Sequence, residues 1–179
     1  MTNAVAQIDI DHLEKLRTNV EKFMSTMGTR YARPGIRLLD VAPQDHQGAK
    51  PFLPAGVEYH TLDIDPKSGA TYIADLCNCA PIVGYSKYEI VVCTEVLEHT
   101  RQPFDAVNSI YGMLKTGGLA FISTPFNFRI HGPLPDCWRF TEHGLRELFK
   151  DFNILEFNSL ESNDRFLMPI QYTLIAQKS

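Results

Sequence analysis

From Ile36 onwards the chain repeats one pattern, a short apolar run that ends in aspartate or another polar residue, followed by a stretch of helical periodicity. The runs are IRLLDVA, EYHTLDID, TYIAD, YEIVVCTE and LAFISTP. Strands that alternate with crossover segments predict a parallel sheet. Between the last two runs lies RQPFDAVNSIYGMLKTGG, where Phe104, Val107, Ile110, Tyr111 and Leu114 share a helical face before Gly117 and Gly118 stop it. TEHGLRELFKDF reads as a further helix, with Thr141 as its N-cap and Leu145, Leu148 and Phe149 facing inward. NILEFNSL and PIQYTLIAQK read as two final strands.

These elements predict an α/β fold: a Rossmann-like, open, doubly wound and mostly parallel sheet of about seven strands, with helices on both faces. The 179 residues fit one domain, and 44% hydrophobic residues suffice for one core. No repeat, low-complexity tract or Gly/Ser linker divides residues 1–179. The one appendage is an N-terminal helical extension, residues 1–33, where Ile10, Leu13, Leu16, Val20, Phe23 and Met24 recur at three- and four-residue steps.

Charge narrows the partners. A formal net charge of -4 and a pI of about 5.8 give no global basic field, which disfavours nucleic acid. The opening MTNAVAQIDI has neither the positive start nor the apolar run of a signal peptide, and no run approaches the ~18 apolar residues of a membrane span. A soluble, cytoplasmic protein without membrane partners is expected. Cys77, Cys79, Cys93 and Cys137 show neither C-x-x-C spacing nor a dense framework, so they read as reduced thiols.

In open parallel sheets ligands bind outside the carboxyl ends of the strands. Here those ends carry Asp40, Asp63 with Asp65, Asp75, Thr94 with Glu95, and Ser123 to Asn127. Asp63 is placed to accept both hydroxyls of a ribose, and Asp75 to accept from an adenine amino group. The plainer reading is that Asp63 and Asp65 cap a turn before Pro66. The first turn, LLDVAPQDHQG, lacks the G-x-G-x-x-G that brings backbone against a pyrophosphate, which counts against a dinucleotide. S-adenosylmethionine, a nucleoside without phosphates, needs fewer such contacts.

At this point the residues resemble the class I methyltransferases, especially the small ones of the methyltransferase type 11 pattern. LLDVA is similar to that family's first motif, YHTLDIDP to the second, IADL to the third, and VVCTEVLEHTRQP with LKTGGLAFISTPF to the fourth and fifth, over roughly residues 36 to 150. The resemblance implies S-adenosylmethionine as cofactor. It puts Asp40 and the Ala42 backbone near the methionine end, Asp63 and the following Ile64 at the ribose, Asp75 and Leu76 at the adenine, and Thr94 near the sulfonium. The departure is that Ala42 and Gln44 stand where the family usually has glycine, with Pro43 between them.

Methyl transfer to a hydroxyl requires an aligned acceptor and a base or metal to remove or weaken its proton. Glu95, Glu98 and His99 open the stretch after the fourth run, and if that stretch is helical their i, i+3, i+4 spacing puts them on one face. With His131 they make a mixed oxygen and nitrogen set for a divalent ion. The same E-x-x-E-H pattern with a later histidine resembles plant small-RNA 2'-O-methyltransferases and ubiquinone-pathway O-methyltransferases, which implies a metal held beside the acceptor oxygen. Two other readings stay open: His99 or His131 as a metal-free general base, and a structural role in which the carboxylates favour the helix macrodipole.

Residues 125–141, PFNFRIHGPLPDCWRFT, form a loop long enough to be functional. Phe126, Trp138 and Arg139 are the substrate candidates. The stretch resembles one in methyltransferases of sugar and surface-polysaccharide pathways; the alternative makes Trp138 and Phe140 core anchors and Arg139 a partner for Asp136. The function expected is O-methylation of a small-molecule or sugar hydroxyl. RNA 2'-O-methylation is a related reading that only Lys15, Lys22 and the neighbouring arginines Arg17, Arg30 and Arg33 favour. A non-enzymatic cofactor-binding or scaffold protein and a nicotinamide oxidoreductase are the readings from other classes.

Overall fold

The computed structural model describes residues 5–43, 47–162 and 165–179. Its strands are β1 (Arg37–Val41), β2 (Glu58–Asp63), β3 (Tyr72–Ile73), β4 (Tyr88–Thr94), β5 (Leu114–Pro125), β6 (Phe152–Leu160) and β7 (Gln171–Lys178). They form one seven-stranded sheet in the order β3-β2-β1-β4-β5-β7-β6. β1 to β5 pair in parallel, while β7 lies antiparallel to β5 and β6 antiparallel to β7. Each apolar run expected as a strand forms one.

The helices are α1 (Gln7–Arg30), α2 (Ala80–Val83), α3 (Pro103–Met113) and α4 (Glu142–Leu148). Successive strand residues point to opposite faces, and the core divides accordingly. Leu38, Ile90, Val92, Phe121 and Ile175 meet Met24 and Met27 of α1. Leu39, Val41, Val91, Cys93, Ile122 and Leu174 meet the other three helices. A sheet covered on both faces explains why β1 is buried at every position after Arg37. Close packing also fixes Gly28 in α1, where an added Cβ would stand 2.0 Å from the Phe52 carbonyl oxygen.

Two helix details differ from expectation. α3 ends at Met113, and Leu114 to Gly118 continue into β5, with Gly117 in the left-handed region at φ 77°. Phe104 is 55% exposed, while Ala106, Val107, Ile110 and Met113 form the buried face. Phe104 stands in the first turn, where its side chain leans toward the helix N-terminus and away from the sheet. Thr141 does cap α4, its Oγ1 accepting from the Gly144 N–H at 3.1 Å. Among the described residues no helix is long and apolar enough to cross a membrane.

Candidate active site

The strand order reverses between β1 and β4, and the carboxyl ends of the parallel strands open there as a crevice. On the β1 side Asp40 is almost wholly buried. Its Oδ2 accepts from the Ala49 N–H at 2.7 Å and from the Tyr59 hydroxyl at 2.9 Å. Burial pushes its carboxyl up to about 6 against those two donors. Asp40 therefore acts by holding the 47–49 backbone, and Gly48 is required there because a Cβ would lie 2.1 Å from that same Oδ2. Ala42 follows at φ 50°, with its N–H on the Leu62 carbonyl. Gln44 lies outside the described residues.

Asp63 and Asp75 are shallower. Oδ1 of Asp63 accepts the Asp65 N–H at 2.9 Å, and Oδ1 of Asp65 accepts the Lys67 N–H at 2.9 Å. Oδ1 of Asp75 likewise caps the Cys77 N–H. Turn capping thus occupies one oxygen of each and leaves Oδ2 of Asp63 and of Asp75 available to a ligand. Ile64 beside them is 67% exposed, an apolar face at the crevice rim, whereas the Leu76 side chain is in the core.

Beyond β4 the expected helical face does not exist. Glu95 sits at φ 55°, and Glu98 and His99 belong to a 3-10 turn, Leu97–His99, well before α3 begins. The carboxylates therefore meet no helix macrodipole, and Glu95, Glu98 and His99 share no i, i+3, i+4 face. Glu98 and His99 reach His131 instead because the loop from Arg129 to Arg139 folds back over the turn. The N–H groups of Cys137 and Trp138 both donate to the Glu98 carbonyl, at 2.7 and 3.2 Å.

Glu95 and Glu98 then part company. Oε1 of Glu95 accepts from the Ser123 hydroxyl at 2.7 Å and from the Gln171 amide at 2.6 Å, and the Gln171 carbonyl in turn accepts from Asn19 of α1 at 2.7 Å. Burial raises its carboxyl to about 7, with both donors opposing. The Glu98 side chain is fully buried, and neither carboxylate oxygen has a hydrogen-bond partner among the described residues. Burial, then the charge of Glu95, drives its pKa well above the usual range.

Two imidazoles face that orphaned carboxylate. His99 Nε2 is 3.7 Å and His131 Nε2 3.8 Å from Glu98 Oε1, both too long for hydrogen bonds. The two rings meet edge to face with centroids 4.9 Å apart. His99 Nδ1 lies 3.0 Å from the Pro135 carbonyl, and a carbonyl only accepts, so Nδ1 carries the proton and Nε2 presents a lone pair. The ligand atoms of Glu98, His99 and His131 fall within 4.8 Å of one another. Ligands about 2.1 Å from one ion stand about 3 to 3.5 Å apart, so this set is slightly wide of closed coordination. A buried carboxylate without donors beside two bare ring nitrogens fits a divalent cation. Glu95 lies outside this cluster.

The sequence of this chain matches a methyltransferase domain family over residues 12–156. It belongs to that family. The methyltransferase is of class I, dependent on S-adenosylmethionine, with the seven-stranded sheet of that class. Solved structures share its fold at low identity. One is magnesium protoporphyrin IX methyltransferase from Synechocystis PCC 6803 with bound S-adenosylhomocysteine, at 15% identity and TM-score 0.68, covering 100% of this chain and 90% of the other. Another is 1,6-didemethyltoxoflavin-N1-methyltransferase from Burkholderia thailandensis, bound to 1,6-didemethyltoxoflavin and S-adenosylhomocysteine, at 14% identity and TM-score 0.66, covering 99% and 93%. An S-adenosylmethionine-dependent methyltransferase from Methanosarcina mazei is 15% identical with TM-score 0.63, covering 83% and 94%. No curated protein matches the chain.

In this methyltransferase the loop candidates divide. Every nitrogen of Arg139 is engaged within the loop: Nε on the Phe128 carbonyl, Nη1 on Asp136 and the Trp138 carbonyl, and Nη2 on Asp136 and the Arg129 carbonyl. Phe140 is buried, while Trp138 keeps 41% exposure although its indole N–H donates to the Thr100 carbonyl at 2.8 Å. Phe126 packs on Tyr172 at the carboxyl edge. Asn19 and Gln171 carry no sequence signal, because only the β5–β7 register, with Gln171 opposite Pro125, brings Gln171 to this edge.

Proposed function

We propose that this methyltransferase methylates a hydroxyl of a small molecule or sugar, with Glu98, His99 and His131 holding a divalent metal beside the acceptor oxygen. The observation that carries this reading is the fully buried Glu98 carboxylate, unpartnered among the described residues and flanked by two imidazole nitrogens. An isolated buried charge of that kind is costly, and a cation is the partner that offsets the cost. S-adenosylmethionine supplies an already electrophilic methyl group. A divalent ion at this centre lowers the pKa of a hydroxyl and orients it.

The chain's own residues do the rest. Asp63 offers a carboxylate oxygen to a ribose, with Ile64 beside it as an apolar face, and Asp75 and the Leu76 backbone line the adenine end. Asp40 shapes the backbone of Ala42 and residues 47–49 around the methionine end, and Thr94 closes β4 next to it. Glu95, with one oxygen fixed by Ser123 and Gln171 and a carboxyl near 7, is placed to accept a proton from the acceptor at neutral pH. Trp138 and Phe126 supply apolar surface for the acceptor body. The net charge of -4 favours a polar small molecule over RNA.

Titration calorimetry with S-adenosylmethionine and S-adenosylhomocysteine, with and without manganese, tests the reading. Micromolar binding of the nucleosides is expected, and turnover of hydroxylated acceptors that a chelator abolishes and manganese restores. Turnover that survives chelation would transfer the role to His99 or His131 as a metal-free base, and no nucleoside binding would leave a non-enzymatic relative.

A further inference from the structure

Two histidines face Glu98, and each has its other ring nitrogen held, but by different means. For His99 the holder is a backbone carbonyl, that of Pro135. For His131 it is a side chain: Nδ1 stands 3.1 Å from Oδ2 of Asp136, and the same oxygen accepts the His131 backbone N–H at 3.0 Å. The Arg129 carbonyl, 3.3 Å from Nδ1, is also only an acceptor. A ring nitrogen surrounded by acceptors must carry the proton. Asp136 is itself gripped by the Arg139 guanidinium, Nη1 on Oδ1 at 2.5 Å and Nη2 on Oδ2 at 2.7 Å, and its side chain is wholly shielded from solvent.

We propose that Asp136, clamped by Arg139, is a positioning residue that fixes His131 as its Nδ1–H tautomer and turns the Nε2 lone pair toward Glu98. The affinity consequence rests on the metal-centre reading above, and the tautomer on local geometry alone. Saturation of Arg139 inside the loop then has a reason: its task is to keep Asp136 anionic and aimed. Arg139 holds the Asp136 carboxyl down to about 2, so the clamp persists at any working pH. A carboxylate behind a metal-binding imidazole sets ring orientation and raises its basicity, and loss of such a partner typically weakens metal binding about 10- to 100-fold.

The test uses cobalt(II) as probe on the full chain, read by its visible absorption, together with nitrogen-15 imidazole spectra of the metal-free protein. In the unaltered protein His99 and His131 should both show the Nδ1–H form. Asp136→Asn keeps the shape, but its amide can turn an N–H toward His131. His131 should then shift toward the Nε2–H tautomer and cobalt should bind about 10- to 100-fold more weakly, with His99 unchanged as internal control. If Asp136→Asn does not fold, Arg139→Gln leaves the carboxylate in place but unclamped, and a several-fold loss of cobalt affinity is expected. A His131 tautomer and a cobalt affinity both unmoved in whichever variant folds would overturn the proposal. If the unaltered protein takes no cobalt, the metal reading fails by itself, and the tautomer of His131 in Asp136→Asn still decides the role of Asp136.

Discussion

The two sides of the crevice are built on opposite principles. Around β2 and β3 the carboxylates of Asp63, Asp65 and Asp75 stand near solvent and cap the turns that follow them, each contact spanning two residues. Around β4 the carboxylates of Glu95 and Glu98 are withdrawn from water, and their surroundings come from β5, β7, α1 and the 129–139 loop. The first side is local, already hydrogen-bonded and inexpensive to form. The second is assembled from distant segments and carries uncompensated charge, the condition under which side chains acquire perturbed acidity and chemical use.

The largest break in this contrast is Glu98→Gln. Loss of the anionic ligand should reduce cobalt or manganese affinity and turnover by more than about 100-fold, while S-adenosylmethionine affinity stays within a few-fold. A metal affinity that survives would remove Glu98 from the centre. The same variant reports on stability. A carboxyl whose folded pKa is raised contributes stability below its unfolded value near 4.5, and that contribution is lost as pH rises through the folded value. The metal-free protein should therefore melt at a lower temperature at about pH 8 than at about pH 5, and in Glu98→Gln that slope should be shallower. An equal slope in both proteins would mean that Glu98 does not carry the burden.

Asp63→Ala probes the shallow side. Losing a charged acceptor of two ribose hydroxyls should weaken S-adenosylhomocysteine about 10- to 100-fold by calorimetry, with cobalt affinity unchanged. Coupled losses would show that the two sides are not independent. The smallest effect belongs to Thr141→Ala, which removes the α4 cap at a cost of about 1 kcal/mol, or about 2–4 °C in melting temperature. Both ligands should bind it normally, since α4 supplies no group to either side.

The same division sets what is legible in the sequence. The seven apolar runs, the capping Thr141 and the strand-end aspartates are local patterns, and the structure bears out the strands and the cap. The convergence of Glu98, His99 and His131 shows in the sequence only as composition. A left-handed Glu95 and a 3-10 turn replace the helix that the spacing suggests, because the polypeptide turns sharply at the end of β4 to pair Glu95 with β5 and β7. Gln171 and Asn19 are invisible because they reach Glu95 across 76 and 152 residues of separation in turn, from β4 to β7 and from β7 to α1. Arg139, expected at the substrate, is tied to Asp136, a pairing the sequence offers as its alternative.

The backbone of Glu95 has a further consequence. A non-glycine residue in the left-handed region costs about 1–2 kcal/mol, and here it also carries a carboxylate into a poorly solvated place. Both penalties vanish in a glycine. Laboratory evolution that rewards heat resistance alone should therefore find Glu95→Gly early, and harvest a sturdier protein that has forgotten its chemistry. Any thermostabilisation campaign on this scaffold needs a turnover screen running alongside the melting assay.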